Sequence, residues 1–421
     1  MNAVLDWNDT FLQAIRIRGG APGPIARSGA ILHIAMHDAI VAIAPTHAPY
    51  LPGLDAAGTE NKEAAVHRAA HRVLSTLFPE QTEVFDAQLA QREGALPPPG
   101  PQRTAVLAGR RVGTSSALAI LADRAGDGHD DATLYQVSTA PGSWRPADST
   151  VRPATPNWGR VRPFSLAAGE SMEGWLATFR PPLPAGAADV AELLASQEYA
   201  AQVNEVKDLG RFDSTSRTAE QTEIAHFWAN DLDGTYKPPG QLFTLSQVLA
   251  TDEGLDLAAT AHLFALVAIV MADAAVVAWD AKYSTELDLW RPDTAIQLAA
   301  LANNPGVVAD PLWQPLSVTY GGARFSPPFP AYISGHATFA AAHARMMANF
   351  FGTDDKSFQL STDDPFAVGV KRSFSKFSDA GKENGRSRVY LGVHYPWDAD
   401  EARPVASRLA DHIYDTLLTE S

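Results

Sequence analysis

The sequence predicts an all-α protein built of two packed helical bundles. Three observations predict this fold class: apolar residues recur at helical spacing along most of the chain, alternating strand patterns are scarce, and 421 residues suffice for a large core. The chain has no cysteine, which excludes disulfides and thiolate metal sites. Its formal net charge of −15 argues against a nucleic-acid partner, because such a partner requires a basic face.

The N-terminal part of the chain alternates between helical periodicity and one irregular stretch. Helices are predicted at residues 24–44, 61–77, 81–92 and 103–124. Residues 126–184 are rich in proline and glycine, yet they carry aromatic residues at Trp144, Trp158, Phe164, Trp175 and Phe179. That aromatic content predicts an ordered connection lying over the bundles. We place a domain boundary at its end, between an N-terminal domain (1–184) and a catalytic domain (185–421).

The C-terminal part is predicted to be helical at residues 216–231, 257–282, 292–303, 336–351, 365–375 and 396–418. The first of these has a capping-box pattern at Ser216 and Glu220 or a neighbour of Glu220. The most apolar run, 257–279, contains His262 and Asp273, so a helix inside a bundle explains it better than a membrane span. No membrane partner is expected.

The first twenty residues lack the basic start and apolar core of a signal peptide, so a cytoplasmic location is the default expectation. Two histidine pairs, His33 with His37 and His67 with His71, have a spacing that suits a metal ion. No carboxylate cluster accompanies them, and we interpret them as structural.

Three C-terminal segments contain residue types that bind a tetrahedral oxyanion. Lys282, Arg291 and Arg388 supply three cationic donors. Ser334 offers a hydroxyl, and Gly335 allows a backbone N–H to approach a ligand closely at a helix N-terminus. Individually, each residue also has an ordinary structural explanation as a surface charge, a helix boundary or a cap. Their joint occurrence predicts a site for a phosphate-shaped anion.

Two histidines complete these segments. His336 follows Gly335 directly, and His394 precedes Asp398 by four residues. Either imidazole could be a nucleophile, a ligand or a general acid or base. Asp398 is suited to orient a histidine by fixing its tautomer.

The three segments resemble the three motifs of the vanadium-dependent haloperoxidases and the related type 2 phosphatidic acid phosphatases. The third motif, residues 387–398, matches in residues and spacing, whereas the second has Ile333 where the family has proline. In the first, eight residues rather than six separate Lys282 from Arg291, and we expect an insertion within STELDL. Two extra residues inside a helix would rotate Lys282 by roughly 200° unless a bulge or loop absorbs them. The similarity extends to residues 32–43, 125–128, 141–146 and 205–230, which resemble the bacterial, vanadium chloroperoxidase-like branch.

The resemblance implies a site and a cofactor. Vanadate would be the cofactor, and phosphate could occupy the same site. By this resemblance His394 would be the axial ligand of vanadium, with Asp398 as its partner, and His336 would act as acid and base. The donors to the equatorial oxygens would be Lys282, Arg291, Ser334, Gly335 and Arg388, of which Lys282 and Arg388 would also polarise the bound peroxide. Phe329 and Trp279 would form the walls of a halide pocket.

Two activities fit such a site. The first is a vanadate-dependent haloperoxidase that uses hydrogen peroxide to oxidise chloride or bromide to hypohalous acid, which halogenates a small organic substrate. The alternative is an acid phosphatase working through a phosphohistidine at His394, or a non-halogenating homologue in specialised metabolism. The resemblance also implies that a homodimer is one expected assembly.

Overall fold

The computed structural model describes residues 2–421 and confirms the all-α class. The N-terminal helices are α1 (Ala3–Arg18), α2 (Pro22–Ile43), α3 (Lys62–Leu77), α4 (Thr82–Glu93) and α5 (Pro101–Asp123). The middle of the chain forms α6 (Met172–Phe179), α7 (Val190–Ala195), α8 (Gln197–Leu209), α9 (Ala219–Phe227), α10 (Lys237–Asp252), α11 (Leu257–Tyr283) and α12 (Pro292–Gln297). The C-terminal elements are α13 (Gly335–Phe351), β1 (Asp355–Ser361), β2 (Lys371–Lys376), α14 (Phe377–Tyr390), α15 (Pro396–Asp400) and α16 (Ala402–Thr416).

Helix α11 forms the centre of the molecule. It packs against α2 on the N-terminal side and against α13 and α16 on the C-terminal side. By length and composition it could cross a membrane, but 94% of its most apolar 18-residue window is buried inside the protein. Its apolar character is therefore accounted for by core packing. Trp279 and Lys282, at its C-terminal end, reach the region of the three motifs.

The core is continuous, with buried residues from α1 and α2 through to α16 in one cluster. The boundary between 1–184 and 185–421 stays a prediction. The irregular connection is ordered as predicted, because the five aromatic side chains singled out in the sequence are buried: Trp144, Trp158, Phe164, Trp175 and Phe179. This connection lies against α11 through the 3-10 helix Trp158–Arg160, and its α6 contacts α11 and α16.

One predicted helix is wrong. Residues 365–375 form a turn and strand β2, which pairs antiparallel with β1 so that Phe358 lies opposite Phe374. The two rings lie 5.5 Å apart between centroids, and this cross-strand pair stabilises the hairpin. Gly369 adopts φ +78° between the strands, a left-handed conformation that ends any helix there.

Three predicted helices also differ in extent, and the one at 292–303 is α12 followed by a 3-10 helix at Ala299–Ala302. The predicted helix at 216–231 is the shorter α9, whose N-cap is Thr218 in a reciprocal capping box with Gln221. The Ser216 pattern is therefore not the cap, and the chain after Phe227 leaves the helix to form a turn. The predicted helix at 396–418 is divided into α15 and α16.

Candidate active site

The N-terminus of α13 forms one wall of the site. Ser334 is its N-cap, and the Ser334 hydroxyl oxygen accepts the N–H of Ala337 at 3.3 Å. Gly335 is the first helical residue, and a Cβ added there would lie 3.2 Å from the Trp279 ring. Glycine thus lets the helix end pack closely on Trp279. The unpaired N–H groups and the dipole of such an end favour a bound anion.

His394 lies opposite, just before α15. Its Nδ1 is 2.7 Å from the Asp398 carboxylate, which also accepts the Tyr395 N–H at 3.1 Å. This pairing places the proton on Nδ1 and leaves Nε2 as a lone-pair donor. Burial lowers the pKa of His394 well below its usual value, and the nearby arginines and Lys282 lower it further. The imidazole is therefore neutral, as a metal ligand must be.

Two buried arginines approach His394. The Arg291 Nε donates to the Phe329 carbonyl at 2.7 Å, and one Nη donates to the Val393 carbonyl at 2.6 Å. The same Nη lies 3.0 Å from the His394 Nε2. Burial lowers the pKa of Arg291 to about 10, so the guanidinium stays charged at neutral pH.

These arginines retain unpaired hydrogen-bond donors. The second Nη of Arg291, together with Nε and one Nη of Arg388, is buried without a hydrogen-bond partner among residues 2–421. A buried N–H without an acceptor costs about 1–3 kcal/mol, and more when the group is charged. Three such donors beside the unprotonated His394 Nε2, which accepts an Arg291 N–H in this structure, fit a tetrahedral oxyanion such as vanadate or phosphate.

A cavity of about 230 Å³ lies beside these groups and is lined by Arg388, whereas Arg291 and Ser334 do not line it. Gly335, His336, Arg388 and His394 form its polar floor. Most of the wall is apolar and is formed by Ala21, Pro22, Ala154, Pro238, Trp279, Phe325, Pro327, Pro328, Phe329 and Phe339. The rings of Trp279 and Phe329, the two residues predicted to line a halide pocket, are 5.1 Å apart between centroids. The turn between α1 and α2 contributes to the rim, so both ends of the chain build the site.

Lys282 lies behind this site rather than on the cavity wall. Its Nζ donates to the carbonyls of Pro330 and Ala331 at 2.8 and 3.0 Å and to that of Ile333. Ile333, which stands where the motif has proline, is buried and follows a cis peptide bond from Tyr332. All three ammonium hydrogens are thus used on the loop before α13, in contrast to the predicted role as an oxyanion ligand.

The two extra residues of the first motif do not cause this placement. Helix α11 ends at Tyr283, so the insertion within STELDL lies beyond the helix. The spacing of Trp279 and Lys282 on the helix is therefore undisturbed, and the predicted rotation does not arise. Burial, with Arg291 nearby, lowers the pKa of Lys282 well below its usual value.

Asp231 was not identified from the sequence. Its carboxylate accepts a hydrogen bond from Arg388 at 2.7 Å and lies 3.9 Å from the His336 Nε2. Burial alone would raise the pKa of Asp231, but Arg388, His336 and Lys237 lower it overall. The family-like segment 205–230 ends one residue earlier, and an isolated aspartate in a turn has no pattern that marks it.

His336 is held at the cavity floor. Its Nε2 is 3.0 Å from the Ala229 carbonyl oxygen. Burial lowers the pKa of His336 to about 4, and Arg388 contributes to the shift. The imidazole is neutral near pH 7 and can accept a proton.

Fold and site together define a class: helical-bundle proteins that hold a tetrahedral oxyanion between buried arginines, a helix N-terminus and a histidine. Residues 262–419 match the family model of the VCPO second helical-bundle domain. Vanadium chloroperoxidase of Curvularia inaequalis is 26% identical over 507 aligned residues, which cover 96% of this chain and 80% of that protein. The chain is thus similar over nearly its whole length to a vanadium chloroperoxidase, and its C-terminal part matches the second helical-bundle domain of that kind of protein.

Solved structures show the same fold. A structure described as the first bacterial vanadium-dependent iodoperoxidase matches with a TM-score of 0.80 and 22% identity, covering 100% of this chain and 97% of that one. The holo form of a bacterial vanadium-dependent chloroperoxidase matches with a TM-score of 0.70 and 15% identity, covering 93% and 91%. Its apo form matches with the same TM-score and 16% identity, covering 93% and 92%.

Proposed function

We propose that this protein is a vanadate-dependent haloperoxidase that uses hydrogen peroxide to oxidise chloride or bromide to hypohalous acid. The observation that carries the proposal is the set of three unpartnered arginine N–H donors near a neutral histidine whose Nε2 is unprotonated and contacts Arg291. Full-length similarity to vanadium chloroperoxidase supports vanadate as the oxyanion that these groups hold.

The residues that would hold vanadate follow from the donor set. His394 would ligate vanadium through Nε2, while Arg291, Arg388, the Ser334 hydroxyl and the Gly335 N–H would bind its oxygens. When bound, vanadate supplies a Lewis acid that activates hydrogen peroxide towards attack by halide.

Proton handling falls to His336. Because its pKa is lowered to about 4, the imidazole is neutral near pH 7 and can take a proton from hydrogen peroxide. The Asp231 carboxylate, 3.9 Å away, stabilises the imidazolium that results. His336 can later return that proton to the departing oxygen.

The apolar wall suits the halide. Trp279 and Phe329 present rings to the cavity and exclude water, so the cationic floor attracts a halide through a medium of low dielectric constant. Hypohalous acid formed here would then transfer its halogen to a small organic substrate.

The proposal is tested by varying both the oxyanion given to the apoprotein and the halide that it is offered. Apoprotein is incubated with vanadate or with phosphate and then given hydrogen peroxide with iodide, bromide or chloride, and halogenation of an activated carbon acid is followed. We expect turnover with vanadate only, with bromide or chloride as well as iodide, and none in His394→Ala. Vanadate binding without oxidation of any halide would contradict the proposal.

A parallel assay addresses the phosphatase alternative, in which His394 accepts the phosphoryl group and His336 protonates the leaving alcohol. Hydrolysis of an aryl phosphate that vanadate inhibits, without halide oxidation, would favour that activity.

A further inference from the structure

The turn between α9 and α10, residues 229–237 (the 229–237 turn), reaches the site at three places. The Ala229 carbonyl contacts His336, Asp231 pairs with Arg388, and Lys237 lines the cavity. Two non-glycine residues of the turn, Asn230 and Lys237, adopt left-handed φ values of 45° and 60°. This conformation costs each of the two L-residues roughly 1–2 kcal/mol, so contacts with surrounding residues must hold the turn in place.

The residues that hold the turn belong to the β1–β2 hairpin, at the end of β1 and the start of the loop that follows it (the 361–366 segment). One oxygen of Asp364 accepts the Asn230 N–H at 3.1 Å, and the other accepts the Phe366 N–H at 3.0 Å. The neighbouring Asp363 accepts the Tyr236 N–H at 3.1 Å. The 361–366 segment therefore binds the turn through hydrogen bonds near both of its ends, at Asn230 and Tyr236.

The Asn230 side chain adds further hydrogen bonds that hold the turn. The Asn230 amide nitrogen lies 3.1 Å from the Thr362 hydroxyl and 3.0 Å from the Gln241 carbonyl oxygen. Asp364 is only 2% exposed, and the main-chain N–H that it binds belongs to the residue directly before Asp231. A displacement of Asp364 thus reaches Asp231 through a single residue.

We infer that the β1–β2 hairpin supports the active site from outside and that Asp364 is a positioning residue. Asp364 fixes the 229–237 turn, the turn fixes Asp231, and Asp231 sets the orientation of the two free Arg388 nitrogens that face the oxyanion. The catalytic consequence rests on the proposed function, whereas the effect on oxyanion binding rests on the geometry alone.

The charge of Asp364 matters because only a carboxylate accepts both backbone N–H groups equally well. Burial raises the pKa of Asp364, the two backbone N–H groups and Arg388 oppose the rise, and Asp231 adds to it, so that the pKa is about 6. Asp363 is adjacent and contacts the same turn, and the ring of His226 in α9 lies 5.4 Å from that of Phe366. Protonation below about pH 6 would therefore weaken the support.

The test is the affinity of the apoprotein for inorganic vanadate, measured by calorimetry near neutral pH. In Asp364→Asn the amide nitrogen must face one of the two backbone N–H groups, and we expect binding about tenfold weaker, as when a group that orients a ligand is lost. Asp355→Asn is the matched control: Asp355 lies on the same hairpin and makes an exposed pair with Lys376. We expect no change in that variant.

The pH dependence separates positioning from general destabilisation. Wild-type affinity should decline as the pH falls through about 6, and this component should be absent in Asp364→Asn. Thr362→Val, which removes the hydroxyl that bonds the Asn230 side chain and accepts the Asp364 N–H, gives a second variant should Asp364→Asn fail to fold. Wild-type affinity in whichever of the two variants folds, or an unchanged pH dependence in Asp364→Asn, would overturn the inference.

The outcomes also distinguish this inference from the proposed function. The vanadate titration contains neither peroxide nor halide, so a chain that binds vanadate without halogenating refutes only the peroxidase. A chain that halogenates while Asp364→Asn binds vanadate normally refutes only the positioning role. Failure of the wild-type apoprotein to bind either vanadate or phosphate would overturn both.

Discussion

At the scale of single residues, Lys282 and Asp231 show that belonging to a motif does not determine which group a side chain contacts in the fold. Lys282 is a motif lysine, yet its ammonium holds the three carbonyls of the loop that precedes α13. Asp231, which belongs to none of the three motifs, is the carboxylate that contacts Arg388. A motif identifies residue types, and it does not determine which acceptor a long side chain reaches.

Replacing Lys282 tests its role as a support. In Lys282→Met three buried carbonyls lose their donor, and we expect the free energy of unfolding to fall by about 3 kcal/mol. Denaturant unfolding measures this loss. In Lys207→Met, which removes a single bond to the Val308 carbonyl at the surface, we expect a change below about 0.5 kcal/mol. Unchanged stability with weaker vanadate binding would instead identify Lys282 as an oxyanion ligand.

At the scale of elements, helix ends were easier to predict than strands. The cap at Ser334 precedes a strong run of helix formers, and α13 begins within a residue of its predicted start. The β1–β2 hairpin was missed because its strands are short and its partly exposed second strand has little apolar alternation. Strand pairing depends on a partner elsewhere in the chain, so a local pattern carries less of the information.

The capping and binding roles of Ser334 can be separated with a matched serine. Ser334→Ala and Ser171→Ala each remove an N-cap, of α13 and α6 respectively, and each should cost about 1 kcal/mol of stability. Only Ser334→Ala should also weaken vanadate affinity, because only Ser334 belongs to the proposed oxyanion-binding set. Equal vanadate affinity in the two variants would remove Ser334 from the binding set. Thermal unfolding and calorimetry supply the two measurements.

At the scale of the whole molecule, buried imidazoles make the fold sensitive to acid. Burial lowers the pKa of six histidines to between about 3 and 4: His33, His67, His226, His262, His336 and His343. Each is neutral in the folded state at a pH where the unfolded chain binds a proton. Their contribution to stability is therefore present above the unfolded pKa near 6.5 and is lost as the pH falls towards 4.

His33 provides the clearest test of this linkage. Neither of its ring nitrogens has a hydrogen-bond partner within the described chain, and the ring lies 4.8 Å from Phe264 and 5.4 Å from Phe243 between centroids. Between pH 7 and about 5.5 it should cost the wild type roughly 1 kcal/mol of unfolding free energy. His33→Leu removes the titrating group, so its stability should fall less over that interval. Denaturant titrations at both pH values measure the difference, and equal losses in the two proteins would contradict the assignment.

The sequence by itself determined the helical class and most of the residues at the site, because helical periodicity, a helix cap and the His394–Asp398 spacing are local patterns. Tertiary structure alone decided that Asp231 meets Arg388, 157 residues away, and that Lys282 turns to the loop before α13. It also brought the 361–366 segment of the β1–β2 hairpin into contact with the 229–237 turn. Such partners are selected by how the helices pack, and packing depends on side chains from the whole chain at once.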